Sequence, residues 1–94
     1  MAQQEQKVTV KLERRKWGRI YSIIRFENPG EIDIGDLATK LKSKLACGGS
    51  AKNKQIELQG DHSLVLEDLL TGLGFPRDNL EVNYEVPQRK RARN

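Results

Sequence analysis

The hydrophobic period changes along this chain, and the order of the changes limits the folds open to it. Val8, Val10 and Leu12 alternate with Lys7, Thr9, Lys11 and Glu13, the period-two pattern of a strand with one buried face. Residues 19–26, RIYSIIRF, read as a second strand with apolar residues on both faces. Between them, Arg14, Arg15, Lys16, Trp17 and Gly18 have the length and the glycine of a hairpin loop. Asn28, Pro29 and Gly30 break the strand. The spacing then switches. Ile34, Leu37, Ala38, Leu41 and Leu45 share one helical face, and Lys40, Lys42 and Lys44 fall off it. Asp33 stands at the N-cap, with Asp36 in the place of a capping box.

Gly48 and Gly49 are expected to end the helical region and begin an extended piece. A turn at Asn53 and Lys54, followed by alternation through Ile56, Glu57 and Leu58, makes a second hairpin. Asp61 is expected to cap a second helix whose stripe is Val65, Leu66, Leu69, Leu70 and Leu73, with Gly74 as its C-terminal glycine. Leu80, Val82 and Tyr84 alternate as a last strand. The expected fold is α+β: a two-layer sandwich with about five strands, mostly antiparallel, and both helices packed on one face of the sheet. Residues 1–6 form a polar lead-in, 7–86 the domain, and 87–94 a proline-led basic tail.

A chain of 94 residues makes one domain. At this size folding buries only about 60–65 % of the unfolded surface, so the core is modest. An enclosed pocket would consume much of it, and binding through an outer surface is the easier use of such a scaffold. Cys47 is the lone cysteine, which leaves no intramolecular disulfide and no multi-cysteine zinc site. No apolar run approaches the roughly 18–20 residues that span a bilayer. The polar start, with Glu5, does not read as a secretory signal. A cytoplasmic protein without a membrane partner or cofactor is expected.

Catalytic candidates are few, and each has a plainer explanation. His62, the only histidine, follows the expected cap Asp61 and reads as a capping neighbour before a general base. Cys47 has no helix N-terminus in front of it to stabilise a thiolate. The acidic pairs Asp33 with Asp36 and Glu67 with Asp68 fit helix caps and a solvated face. Gly48 and Gly49 lack the further glycine and lysine of a phosphate cradle. A small phosphatase of the acylphosphatase kind has a similar size and layering, but it needs an arginine in a glycine-rich strand-to-helix loop, which Asn28, Pro29 and Gly30 do not offer. The chain is not expected to be an enzyme.

The charge is segregated, and this is more informative than its net value of +4. Arg14, Arg15, Lys16 and Arg19 crowd the first hairpin loop. Lys40, Lys42, Lys44, Lys52 and Lys54 follow without an acid between Asp36 and Glu57. Arg89, Lys90, Arg91 and Arg93 load the tail. Clusters of this kind suit a polyphosphate partner, because each neutralised phosphate releases counterions. Trp17 among these cations can stack on a base, or it can fold back on the sheet as core. The three helix lysines splay over an arc, which suits a broad contact with an RNA backbone. The tail reads either as a solvated end or as an RNA anchor, and in a nucleated cell as a localisation signal.

Residues 45–52, LACGGSAK, followed by residues 56–62, IELQGDH, resemble the signature of Sui-type translation initiation factors, which include archaeal and eukaryotic initiation factor one. Gly48, Gly49, Gln59, Gly60, Asp61 and His62 carry it, and Arg14, Arg15, Lys16, Trp17, Gly18 and Arg19 resemble that family's basic loop. The likeness spans residues 7–86. It implies a noncatalytic factor bound near the P site of the small ribosomal subunit, promoting accurate start-codon selection. Under that implication the first loop approaches the decoding region, Lys40, Lys42 and Lys44 face ribosomal RNA, and Lys52 to Lys54 lie toward initiator tRNA. Small-subunit RNA and proteins are the implied partners, with mRNA and initiator tRNA as neighbours and a monomer off the ribosome. A divergent relative that stays on the ribosome as a stable component or regulator is the second reading.

Overall fold

A computed structural model describes residues 7–84. The polar lead-in expected at residues 1–6 and the basic tail expected at residues 87–94 lie outside the described residues. The chain runs β1 (Val8–Arg14), β2 (Ile20–Phe26), α1 (Ile34–Leu45), β3 (Gly49–Lys52), β4 (Gln55–Gln59), α2 (Leu66–Gly72) and β5 (Leu80–Asn83). The sheet order is β3-β4-β2-β1-β5. Three neighbouring pairs are antiparallel, and β5 lies parallel to β1. The parallel pair is reached through α2, because a chain that leaves one end of a sheet must be carried back before it can repeat its direction. The expected α+β sandwich with a mostly antiparallel sheet is what forms.

Register explains the core. Val10 pairs with Ile24, and Ile24 with Ile56, so one face carries an apolar row across three strands. Val8, Phe26 and Leu58 extend it. Leu37, Ala38 and Leu41 of α1 and Leu66 and Leu70 of α2 close over that face, with Phe75 tilted against Phe26 at 5.7 Å between ring centroids. Buried apolar area of this kind is the main stabilising term. Ile23 alone among the β2 isoleucines faces the open side, yet it too is buried.

The Asp33 carboxylate accepts from the Asp36 amide at 3.0 Å and caps α1 as expected. At its other end the helix closes on Ala46, in the left-handed region at φ 51°, with Cys47 N–H reaching the Lys42 carbonyl at 3.1 Å. The glycine pair is therefore not the helix terminator. Gly49 serves a closer purpose: a β-carbon there would collide with the Glu57 carbonyl oxygen of the paired strand. Gly48 lies against the Gln59 side chain, which a β-carbon would approach to 3.0 Å.

The second helix starts later than its sequence suggests. Asp61 Oδ1 accepts from the Ser63 amide at 3.0 Å and from its hydroxyl at 2.7 Å, closing a turn ahead of the helix. Those bonds hold the Asp61 carboxyl below its usual range. The helix begins at Leu66, so Val65 falls outside the stripe and is exposed beside Leu64. Its end follows the expectation: Gly74 takes φ 106°, and the amides of Gly74 and Phe75 reach the carbonyls of Thr71 and Leu70 at 3.1 and 3.0 Å.

Candidate nucleic-acid interface

The first hairpin ends its ladder at Arg14 and Ile20, so Arg14 belongs to β1 and residues 15–19 form the loop. The loop is tightly closed: Arg15 N–H donates to the Arg19 carbonyl at 2.7 Å, and the Arg15 carbonyl accepts from Gly18 N–H at 3.1 Å. This geometry forces Trp17 and Gly18 into the left-handed region, at φ 62° and 72°. Trp17 is 88 % exposed; of its two sequence readings, folding back as core is not what occurs. A non-glycine residue in that region carries a strain of about 1–2 kcal/mol, and here it holds an indole in solvent between Lys16 and Arg19.

Arg15 behaves differently from its neighbours. Its guanidinium makes ion pairs with Glu13 at 3.0 Å and Glu57 at 3.1 Å, and lies 4.6 Å from the Tyr21 ring centroid. Gln55 Nε2 donates to the second Glu57 oxygen at 2.9 Å. Glu57 is a buried residue, and its carboxyl is held below its usual range by the Arg15 hydrogen bond, against the opposing pull of burial. Arg15 is in turn stabilised in its charged form, by Glu57 first and then Glu13. These residues share the sheet face opposite the helices.

The signature residues meet at the base of the same loop. Gly60 N–H donates to the Ile20 carbonyl at 2.8 Å, and the buried Ser22 hydroxyl donates to the Gly60 carbonyl at 2.7 Å. The same hydroxyl accepts from the His62 amide at 3.0 Å. His62 Nε2 sits 2.7 Å from the Gln59 carbonyl, and Gly60, at φ 105°, leaves room for the imidazole. Gln59 N–H in turn donates to the Gly48 carbonyl at 2.9 Å. This set ties β2, β4 and the approach to β3 together below the basic tip. Within it, His62 Nε2 and Asp61 Oδ1 are both engaged locally.

The other cations occupy two further places. Lys42, half-buried, and Lys44, exposed, stand in the last turn of α1, where positive charge complements the helix dipole. Lys40 pairs with Asp36 at 3.6 Å. Lys52 and Lys54 flank the β3–β4 turn, where Asn53 takes φ 49°. There they line an open cleft of about 630 Å³ with Arg25, Asn53 and Gln55. Arg25 does not stand out in the sequence because it lies in the apolar second strand; its alternation with Ile24 and Phe26 is the signal that marks it. Among the described residues, Lys16, Arg19, Arg25, Lys44, Lys52 and Lys54 make no ion pair.

Pairing of Tyr21 with Gln59 and of Arg25 with Gln55 puts the two hairpin tips at opposite ends of the sheet. At about 3.3 Å per residue the strand between them is roughly 17 Å long. The cations thus mark two poles rather than one groove. No helix among the described residues is long and apolar enough to cross a membrane, and no three metal-ligating side chains gather among them.

The family described as "Translation initiation factor SUI1" matches residues 4–76. The chain is 48 % identical over 79 residues to a protein of Pyrococcus abyssi named "Protein translation factor SUI1 homolog", covering 84 % of this chain and 81 % of that one. A protein of the same name from Methanosphaera stadtmanae is 44 % identical over 82 residues, covering 87 % of this chain and 81 % of its own. Another, from Aeropyrum pernix, is 46 % identical over 79 residues, covering 84 % and 78 %.

Proposed function

The chain belongs to the SUI1 family of translation initiation factors, and from that premise we propose that it binds the small ribosomal subunit near the P site and promotes accurate start-codon selection. The observation that carries this reading is the first hairpin tip, where Trp17 stands in solvent between two cations that make no ion pair among the described residues. An indole flanked by cations combines base stacking with phosphate attraction, the pairing that single-stranded and loop RNA rewards. Lys16, Arg19 and Lys44 are the proposed contacts with ribosomal RNA, with Trp17 at the decoding end and Lys52 and Lys54 at the second tip. The second tip lies toward initiator tRNA. The site of action is the cytoplasm, and the protein works by occupancy and release.

Binding of the purified protein to isolated subunits across a salt series tests this. Preference for small over large subunits is expected, with affinity falling steeply as salt rises. Equal affinity for both subunits, or a flat salt dependence, defeats the reading. Sedimentation separates a factor from a resident component: a factor is expected with free small subunits and absent from polysomes, whereas a resident component stays on translating ribosomes.

A further inference from the structure

Arg15 sits within the basic loop, yet nearly every recognition element it owns is already used. Two of its nitrogens face Glu13 and Glu57 at 3.0 and 3.1 Å, and the guanidinium lies 4.6 Å from the Tyr21 ring centroid. Its backbone N–H and C=O both close the loop, on Arg19 and Gly18. Glu57 is fixed from its other side by Gln55 at 2.9 Å and sits in β4, paired on both flanks with β2 and β3. A phosphate that took Arg15 would strip a partner from Glu57, whose side chain is only 10 % exposed, and a buried charge left alone is strongly unfavourable.

We infer that Arg15 is a positioning residue: a strut from the sheet's open face, held by Glu57 and Glu13, that fixes the loop so that Lys16, Trp17 and Arg19 meet RNA preordered. The proposal rests on the function given above and deepens it. A fixed loop loses less conformational freedom on binding than a mobile one, and the left-handed backbone at Trp17 persists only because its surroundings hold it.

The two roles open to Arg15 predict opposite signs for one substitution. If Arg15 is an RNA ligand, Glu57→Gln releases a cation and binding to small subunits strengthens. If Arg15 is a strut, the same change loosens the loop and binding weakens, by about ten-fold or more for the loss of one charge-assisted bond, although the chain has gained positive charge. In Arg15→Met the slope of log affinity against log salt stays as in the parent, whereas loss of a phosphate contact would flatten it by about 0.7–0.9. Trp17 is the only tryptophan, so its fluorescence anisotropy in the free protein reports the loop directly and is expected to fall in Glu57→Gln. Arg15→Lys keeps the charge but cannot span two carboxylates as a fork, and is expected to match Arg15→Met.

Tighter or unchanged subunit binding by Glu57→Gln, or recovery of parent behaviour in Arg15→Lys, overturns the strut. If the parent itself shows no preference for small subunits, the functional reading has failed. Trp17 anisotropy then still decides the strut, and an unchanged value in folded Glu57→Gln overturns it. Glu13→Gln, at a half-exposed position, carries the same test if Glu57→Gln fails to fold by thermal melting.

Discussion

Ser22 and Gly60 are 38 positions apart in sequence and 2.7 Å apart across a hydrogen bond. Ser22 is fully buried on the helix-facing side of β2, and its hydroxyl also receives the His62 amide at 3.0 Å. One small side chain thereby fastens the run that follows β4 to the centre of the sheet.

Replacing Ser22 with Ala removes a donor and an acceptor at once. The Gly60 carbonyl loses this donor and the His62 amide this acceptor, beside a side chain with no exposed surface. A loss of about 1–3 kcal/mol is expected, measured as a lower urea midpoint with an unchanged m-value. A midpoint equal to the parent's contradicts the assigned role.

Gly49→Ala and Gly48→Ala separate two kinds of crowding. At Gly49 the new methyl meets the Glu57 backbone carbonyl, which cannot retreat without breaking the β3–β4 ladder. At Gly48 it meets the end of the Gln59 side chain, which can turn away. Gly49→Ala is expected to destabilise by about 1–3 kcal/mol and Gly48→Ala by about half of that or less. Denaturant titration of the pair ranks them, and the reverse order refutes the geometry.

Acid sensitivity follows from Glu57. Its folded carboxyl is lowered from an ordinary 4.5 chiefly by the Arg15 hydrogen bond. The stability this adds is therefore fully present above that ordinary value, and is lost as pH falls through the folded one. The stability difference between the parent and Glu57→Gln is expected to be largest near neutrality and to shrink by pH 3. Melting both proteins at pH 7 and pH 3 checks this; a gap that widens in acid has the wrong sign.

Trp17→Gly moves stability and binding in opposite directions. Glycine accepts φ 62° without strain, so the free protein is expected to gain about 1 kcal/mol. Subunit affinity is expected to fall by about 1–3 kcal/mol through loss of stacking. A variant both more stable and equally tight in binding would show that the indole makes no contact.

The strands and α1 were legible because their side chains repeat with the backbone's own period: Val8, Val10 and Leu12 could only share a face. The start of α2 was not. Val65 has the right spacing and hydrophobicity for the stripe, but the hydrogen bond from His62 to Ser22 and the turn on Asp61 delay the helix past it. The glycine pair looked like a helix stop because neighbours in sequence are all a reader of sequence can weigh. Its true constraint, the Glu57 carbonyl, comes from across a strand pair. The basic loop was visible as composition. That Arg15 differs from Lys16 and Arg19 was not, since its partner Glu57 lies 42 positions away.

The two basic tips are joined by β2 and β4, which are paired along their whole shared length. That pairing is an unbroken ladder, so the strand register sets the separation of the tips. Two weak electrostatic contacts on a rigid spacer combine multiplicatively only where the receiving surface offers anionic groups at the same interval; at any other interval one contact is forfeited whole. On the function proposed above, the sheet would act as a gauge, passing surfaces by spacing and not by charge alone.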